Sequence, residues 1–443
     1  MRQSVHHPTR LIPLAFLAAV LIGTALLMLP VARVGPDPAP LLVALFTSAS
    51  AVCVTGLIVV DTPLYWSGFG QVVILLLFQF GGFGIMTGAT LLGLLVADRM
   101  RLGARLMAHA ETRSIGLGNV TAVLKLIVLV TVAVEVTVAL VLAARLHESH
   151  GEAWPTALWN GLFQSVSAFN NAGFSTYSDS LMRFVADPVV IVPIMLAVIL
   201  GGIGFPVLYE LRREPLRWRR WSVHTRITLL GSATLVLGGA LATFAFELRN
   251  PATLGALDGS GQWLAALFHS VTSRTAGFNT LDVGQMQDET LAVTYVLMFI
   301  GGGSAGTAGG IKVTTFFLLG LVVWAEIRGC PDTTVFRRRI STHTQRQALT
   351  VVLLGVSVVA VATFALMGLT DLPMHVLLFE AISAFATVGL STGITADLPA
   401  AGQCILVILM FVGRVGTITV AAALALRTRP TAYRYPEERP IVG

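Results

Sequence analysis

The chain has 443 residues, of which 55% are hydrophobic and only 12% are charged, and its mean hydropathy is +0.80. Such a composition indicates a chain whose main solvent is lipid, although the length alone would permit two or three soluble domains. The formal net charge of +6 resides in short basic runs between apolar segments, which favours membrane orientation over nucleic-acid binding. The three cysteines, Cys53, Cys330 and Cys404, are scattered, so neither a disulfide framework nor a zinc site is supported.

Long apolar runs predict an all-α polytopic membrane protein with eight spans of about 20 residues or more. The predicted spans are 11–32, 68–97, 121–144, 187–211, 224–246, 291–320, 347–368 and 402–426. Between the two spans of each pair lies a shorter apolar segment, which is typical of a re-entrant or buried helix. These short segments are 40–51, 156–168, 262–272 and 374–385.

Each short segment leads into a loop in which a glycine precedes a bulky apolar residue. We call these loops 1 to 4: Val54-Thr55-Gly56-Leu57, Asn170-Asn171-Ala172-Gly173-Phe174, Arg274-Thr275-Ala276-Gly277-Phe278 and Ala386-Thr387-Val388-Gly389-Leu390. The glycines lie roughly 110 residues apart, a distance suited to a duplicated unit rather than to a solenoid. The pattern predicts four pseudo-symmetric helix–pore helix–filter–helix repeats around one central pore, with bounds 1–110, 111–222, 223–342 and 343–443.

The charge distribution predicts the orientation. Arginine-rich segments at 98–113, 212–226 and 328–346, together with both termini, belong on the cytoplasmic side. The connecting segments on the opposite side carry more acidic than basic residues, which places loops 1 to 4 on the outer side. The alternative is a chance bias in charge.

The loops have the chemistry of a carbonyl-lined cation filter. A half-helix that enters from outside directs the negative end of its dipole inward, and the loop after it can present carbonyls to a dehydrated cation. Glycine permits the backbone conformations that this requires. The side chains around these glycines are Val, Thr, Ala, Cys and Asn, with no ring of carboxylates, which argues against an acidic-ring pore. The alternative is four packing glycines at helix ends.

Arg274 is unusual in such a loop, because a guanidinium facing the axis would repel a cation. We predict that it points back into the protein and pairs there with Asp282 or Glu380. Lys125 and Glu135 in the third span are expected to be structural or to contact lipid headgroups. His269 and His375 lack the spacing of a metal site and are expected to pack.

The helix after each loop is interrupted by glycines, at 81–84, 201–204, 301–303 and 413–416. The third interruption extends to Lys312 and contains Gly303, Ser304, Ala305, Gly306, Thr307, Gly309 and Gly310. Because Ile311 separates the last glycine from Lys312 and no strand precedes, a phosphate-binding loop is excluded. We predict that 301–312 is a flexible plug below the filter, held by Lys312 through a carboxylate or carbonyl; a passive kink is the alternative.

Arg414 lies between two glycines of the last predicted span. A cation at that depth is either an electrostatic barrier lining the pore or a structural charge paired with a neighbour.

These motifs together resemble the Ktr, Trk and HKT superfamily of potassium transporters, over essentially the whole chain. Segment 303–312 is similar to the family's intramembrane gating loop, and Arg414 matches its arginine in the last helix. Eight spans look most like the membrane subunit of the KtrB type. The resemblance implies K⁺ uptake at the plasma membrane, with possible Na⁺ dependence and no cofactor bound by this chain. It further implies a homodimer in lipid, regulated by a cytoplasmic nucleotide-binding ring of the KtrA type.

Other functions have less support. The chain has no paired carboxylates, HExxH motif or nucleophile elbow, so we predict that it is not an enzyme. No span repeats arginine at every third position, as a voltage sensor would. A secondary carrier for another small ion or solute remains the alternative, since broken helices also build carrier sites.

Overall fold

The structure is a computed structural model that describes residues 8–105, 120–215 and 217–416, with side chains placed for 12–88, 124–215 and 217–416. Within these ranges the α-helices are α1 (Pro8–Leu27), α2 (Leu41–Val52), α3 (Thr62–Tyr65), α4 (Gly68–Arg105), α5 (Val120–His150), α6 (Trp154–Asn170), α7 (Pro188–Ile203), α8 (Phe205–Arg213), α9 (Val223–Glu247), α10 (Gly259–Thr272), α11 (Asp288–Phe299), α12 (Val313–Ile327), α13 (Thr342–Met367), α14 (Met374–Ala386) and α15 (Ala400–Phe411). Short 3₁₀ turns occur at Pro30–Ala32, Met182–Phe184, Trp218–Arg220, Leu254–Ala256 and Val283–Gln285, and a π-helical turn at Val412–Gly416. A two-stranded antiparallel hairpin pairs β1 (Thr334–Val335) with β2 (Arg338–Arg339).

Several helices have the length and composition of membrane spans. Among the described residues these are Gly68–Gly88 of α4, Leu124–His150 of α5, α9 and α13, and α7 with α8 counts as a fifth if the bent pair is one span. Their outward faces carry exposed leucines such as Leu140, Leu196 and Leu237, the pattern expected against lipid. The chain is therefore a helical membrane protein. The predicted last span, 402–426, and both termini extend outside the described residues.

The four short helices form where the short apolar segments predict them: α2, α6, α10 and α14. Each carries the phenylalanine that precedes its loop, and Phe46, Phe163, Phe268 and Phe379 are all fully buried. Burying such a side chain stabilises the fold by about 2–3 kcal/mol. Because the last two turns of each helix are almost wholly buried, the loops that follow have a rigid support.

The glycine interruptions differ from one another. The prediction of a break at 81–84 is wrong, because α4 runs through these residues as one helix. Here the glycines serve close packing: a methyl group at Gly81 would meet the carbonyl oxygen of Val52, and one at Gly82 the side chain of Asn170. The second interruption is a true break, with α7 and α8 bent by 97° around Gly204. At 413–416 the chain widens into the π-helical turn.

Asp187 joins α5 to α7 at one end of the bundle. Its carboxylate caps α7 by accepting from the Val189 N–H (3.0 Å), and it accepts from Arg145 Nε and His150 Nε2, each at 2.9 Å. Burial alone would raise the pKa of this carboxyl, but the hydrogen bonds from Arg145 and His150 outweigh burial and lower the pKa.

Replacing Asp187 with Asn is expected to lower the free energy of unfolding by about 1 kcal/mol at pH 7. Since the folded pKa is depressed, the stabilisation is complete above the ordinary aspartate pKa of about 4 and is lost as the pH falls through the folded value. Thermal unfolding in detergent between pH 7 and pH 3 measures this, with Asp179→Asn, which breaks the exposed Asp179–Arg183 pair, as the control. A stability difference that persists unchanged to pH 3 would contradict the assignment.

Candidate functional site: a ring of four glycine loops

The backbone of loops 1 to 4 has the same unusual conformation. Each glycine has a positive φ, and so does the residue two positions before it, although that residue is never glycine. The pairs are Val54 (56°) and Gly56 (89°), Asn171 (58°) and Gly173 (71°), Thr275 (77°) and Gly277 (82°), and Thr387 (51°) and Gly389 (96°). Alternating left-handed residues let successive carbonyls face the same side, which an extended strand does not permit.

The four loops form a closed ring in chain order. A methyl group added to any of the four glycines would meet the carbonyl oxygen of the residue just before the next glycine along the ring. These carbonyls belong to Ala172 for Gly56, Ala276 for Gly173, Val388 for Gly277 and Thr55 for Gly389. The loops are therefore packed backbone against backbone, and loop 2 faces loop 4 across the ring.

A hydroxyl group from the preceding helix pins each loop, a feature that the sequence interpretation missed. These residues lie four positions after the buried phenylalanine: Ser50, Ser167, Thr272 and Ser383. Ser50 accepts from the Gly56 N–H at 3.1 Å, and the other three donate to the carbonyl after the glycine at 2.6–2.8 Å. The constant spacing from the phenylalanine to the hydroxyl residue could have revealed this feature in the sequence. The spacing from the phenylalanine to the glycine is less regular, because it is one residue shorter in loop 3.

One side of the ring opens into a funnel of about 420 Å³. All four glycines line it, and so do the carboxylate residues Asp61 and Asp282. The C-terminal ends of four helices meet the ring, so their dipoles and these two acidic groups favour a cation over an anion there.

Residues 300–312 lie against the opposite side of the ring and are not helical. The Gly309 N–H donates to Thr275 Oγ1 at 3.2 Å, and Thr307 Oγ1 donates to the Phe169 carbonyl at 3.1 Å. A methyl group at Gly309 would meet the Ala386 carbonyl. This segment thus contacts three of the four helix–loop junctions and covers the face of the ring opposite the funnel, which we call the inner face.

The broken helix α7–α8 holds this segment from the side. Backbone bonds join Gly303 N to Gly202 O (2.8 Å), Thr307 N to Gly201 O (3.0 Å) and Phe205 N to Ala305 O (3.3 Å). In a continuous helix these backbone groups would bond within the helix. Because the helix breaks at Gly204, they can bond to residues 303–307 instead.

Further contacts complete the support of this segment. Ser304 hydrogen-bonds to Thr314, Ala305 and Gly310 have left-handed φ values of 58° and 64°, and Gly306 packs against the Gly201 and Gly202 carbonyls.

Two cations bind carbonyls of the same segment. Lys312 Nζ donates to the Ala308 carbonyl at 2.6 Å, so the predicted carbonyl partner of Lys312 is confirmed. Arg414, only 2% exposed in the π-helical turn, donates from Nη1 to the Thr307 carbonyl at 2.5 Å. Arg414 Nε and Nη2 have no hydrogen-bond partner among the described residues, which leaves two donor atoms of a buried cation unsatisfied beside this segment.

Arg274 points away from the ring, but its predicted pairing with Asp282 or Glu380 is wrong. Its guanidinium donates to the Gly301 carbonyl at 2.9 Å and to Ser232 at 3.3–3.4 Å. Neutral oxygens therefore satisfy donors of this guanidinium without a carboxylate. The bond to the Gly301 carbonyl also joins loop 3 to the start of segment 301–312.

Asn170 also points behind its loop and not into the ring. Its amide bonds to Gln79 Oε1 (2.5 Å) and to Glu135 Oε1 (3.1 Å), and Glu135 accepts in turn from Gln79. Glu135 is therefore structural, which is one of the two roles predicted for it. Among the described residues no cluster of three or more His, Cys, Asp or Glu side chains could hold a metal ion.

Cys53, next to loop 1, is fully buried, and we therefore expect it to be inaccessible from the funnel. Silver ions or a membrane-impermeant methanethiosulfonate added outside should leave ion uptake unchanged, because thiol reactions require access. The matched control is Ile58→Cys, whose position is 39% exposed and lines the funnel, and which should become sensitive. Block of the unmodified protein, abolished by Cys53→Ser, would show that Cys53 faces the path.

Comparison with known proteins agrees with this architecture. The family model of TrkH, described as a cation transport protein, matches residues 4–430. The chain belongs to the TrkH family. Ktr system potassium uptake protein B of Bacillus subtilis (strain 168) is 40% identical to it over 98% of this chain and 97% of that protein. Potassium/sodium uptake protein NtpJ of Enterococcus hirae is 32% identical over 98% and 97%.

A solved structure shares the fold of this TrkH-family chain. The crystal structure of the potassium transporter TrkH from Vibrio parahaemolyticus matches with a TM-score of 0.74 and covers 94% of this chain and 85% of that one. At 18% identity this likeness concerns the fold alone. The ring and the segment beneath it therefore lie in a fold that a known transporter also uses.

Proposed function

We propose that the chain takes up K⁺ across the plasma membrane through the ring of loops 1 to 4, which acts as the selectivity filter. The observation that carries this proposal is the closed ring itself, in which carbonyl-bearing loops with alternating left-handed residues pack against one another. Carbonyl oxygens in such an arrangement replace the hydration shell of a cation. The filter residues are the fifteen named in loops 1 to 4 other than Leu57, Phe174, Phe278 and Leu390.

The names of the relatives support K⁺ as the transported ion. Two relatives are named for potassium or potassium/sodium uptake, and each aligns over nearly its full length. We propose K⁺ as the main substrate and leave Na⁺ as a second ion that the same path could carry or respond to. No enzymatic activity and no bound cofactor are proposed.

Residues 301–312, with Arg414, are proposed to be the gate. The segment contacts the inner face of the ring through Thr275 and Phe169, and Arg414 binds its backbone from the last helix. Opening therefore requires the segment to leave these contacts, and its glycines lower the resistance of the backbone to such a change.

The assembly and topology are proposed on the same basis. Four repeats bounded at 1–110, 111–222, 223–342 and 343–443 would give eight crossings with both termini in the cytoplasm. The relatives' naming as parts of Ktr systems supports a cytoplasmic partner, for which a nucleotide-binding ring of the KtrA type is proposed, together with a homodimer in the membrane.

Uptake measurements test the function. A bacterial host that lacks its own K⁺ uptake systems should grow at low external K⁺ when it produces this chain, and it should accumulate Rb⁺. An equal amount of the Gly277→Asp variant should support neither, because a methylene group alone would already meet the Val388 carbonyl. Equal uptake by both proteins would contradict the filter, whereas solute uptake without Rb⁺ uptake would favour a secondary carrier.

A further inference from the structure

In repeats 2 and 4, the short helix before the filter loop makes a side-chain hydrogen bond to the residues just after that loop. Among the described residues, the corresponding positions in repeats 1 and 3 make no such bond to each other. Two positions in each repeat determine it. The first directly follows the buried phenylalanine and holds Thr47, Gln164, His269 and Glu380. The second lies two residues after the filter glycine and holds Ile58, Ser175, Asn279 and Ser391.

In loop 4 these positions join Glu380 to the outer end of the filter. The Glu380 side chain is 0% exposed and accepts hydrogen bonds from the Ser391 hydroxyl, the Thr392 N–H (3.3 Å) and the Thr395 hydroxyl (3.1 Å). All three partners are donors, which suits a carboxylate. Ser391 Oγ accepts in turn from the Gly393 N–H at 2.9 Å. The Ser391 hydroxyl therefore links Glu380 to the turn that follows the filter.

In loop 2 the same geometry is built with a neutral amide. Gln164 is 2% exposed, and its Nε2 donates to Ser175 Oγ at 2.6 Å. Ser175 Oγ also accepts from the Tyr177 N–H at 3.0 Å, as Ser391 does from Gly393. The two contacts lie in loops that face each other across the ring.

The other two loops use these positions differently. Ile58, which directly follows loop 1, has no polar atom in its side chain. In the third repeat His269 turns to Thr294 at 3.0 Å, and the Asn279 amide bonds to the Leu281 carbonyl at 3.3 Å. The polar support is therefore twofold, whereas the ring of glycines is fourfold.

We infer that Glu380 with Ser391, and Gln164 with Ser175, position the outer ends of loops 4 and 2 and thereby set the discrimination between K⁺ and Na⁺. The inference rests on the proposed function of the ring. A carbonyl ring held at the size of K⁺ cannot contract around the smaller Na⁺, and two fixed opposite loops resist that contraction along one diameter. Glu380 and Gln164 do not touch the ion; they are positioning residues.

The test compares Na⁺ competition against Rb⁺ uptake in Ser391→Ala, Glu380→Ala and the double variant. The Na⁺ concentration that halves Rb⁺ uptake is expected to fall about tenfold in each single variant, because a hydrogen bond to a charged group is lost. The double variant should lose less than the sum of the two single effects, because both single variants remove the Ser391–Glu380 hydrogen bond, while Glu380→Ala also removes the bonds from Thr392 and Thr395. Ser357→Ala is the matched control, because it removes a hydroxyl at an exposed position of α13 that bonds to the Leu353 carbonyl of the same helix.

The possible outcomes separate the inference from the function. Single variants that are produced normally and keep the Na⁺ competition of the unmodified chain would overturn the inference, and so would additive effects in the double variant. Ser391→Ala keeps the test valid if Glu380→Ala fails to fold. Absence of Rb⁺ uptake by the unmodified chain would contradict the proposed function and the inference together.

Discussion

Replacing Gly173 with Ala is expected to reduce selective K⁺ uptake at least about tenfold. A left-handed alanine costs about 1–3 kcal/mol, and tenfold corresponds to about 1.4 kcal/mol. A larger effect comes from contact, because the new methyl group would lie 2.9 Å from the Ala276 carbonyl oxygen and 3.0 Å from Gly277 Cα. Both are backbone atoms of loop 3, so the ring itself must shift to accommodate the side chain.

The chain offers a matched control for backbone strain. Gly151 has the same φ of 71° as Gly173, but nothing lies within 4 Å of a methyl group placed on it. Gly151→Ala should therefore carry the conformational cost while leaving Rb⁺ uptake and Na⁺ competition unchanged. If the two variants lowered uptake equally, the effect would be one of general stability, and the close packing of the ring would not be its cause.

Replacing Arg414 with Gln is expected to raise Rb⁺ uptake about thirtyfold when the chain is produced without a regulatory partner. If the separation is taken as about 8 Å, a unit charge raises the energy of a cation by about 2 kcal/mol at an effective dielectric constant of about 20, which corresponds to about thirtyfold. The substitution also removes the hydrogen bond from the guanidinium to the Thr307 carbonyl, which holds the segment against the ring. Both effects favour an open path, and the initial rate of Rb⁺ uptake measures them together.

Arg414→Lys separates the two effects. The ammonium keeps the charge but lacks the fork of donors with which the guanidinium reaches Thr307. Low uptake in this variant would assign the barrier to charge, whereas uptake as high as in Arg414→Gln would assign it to the lost contact. Unchanged uptake in both variants, at equal yield, would contradict a role for Arg414 in the gate.

The local elements were predictable because their signals lie close together in the chain. Apolar length alone predicts the short helices, and the four helices begin and end within a few residues of the predicted segments. The composition of 301–312 likewise predicts a segment that is not helical, because glycine destabilises a helix by about 1 kcal/mol relative to alanine. Lys312 binds the Ala308 carbonyl, which lies only four residues away in the chain, so a carbonyl partner could also be predicted.

Predictions that depend on distant partners were less accurate. Gly81 and Gly82 read as a helix break in sequence, but they permit contact with Val52 and Asn170, which lie far from them along the chain. The predicted carboxylate partner of Arg274 was wrong because a buried guanidinium can be satisfied by neutral oxygens. Its partners, Ser232 and the Gly301 carbonyl, have no charge by which a sequence pattern could identify them.

Apolar length and repeated motifs are properties of the chain, so the sequence was enough to predict a helical membrane protein, four glycine loops around one axis and a plug at 301–312. The contacts came from the three-dimensional structure: the backbone packing that closes the ring, the bonds that hold residues 300–312 against it, and the bonds by which Glu380 and Gln164 support two opposite loops. Each of these features joins atoms from segments tens to hundreds of residues apart. Their contacts depend on backbone direction and interhelical distance, which packing determines and which no local pattern records.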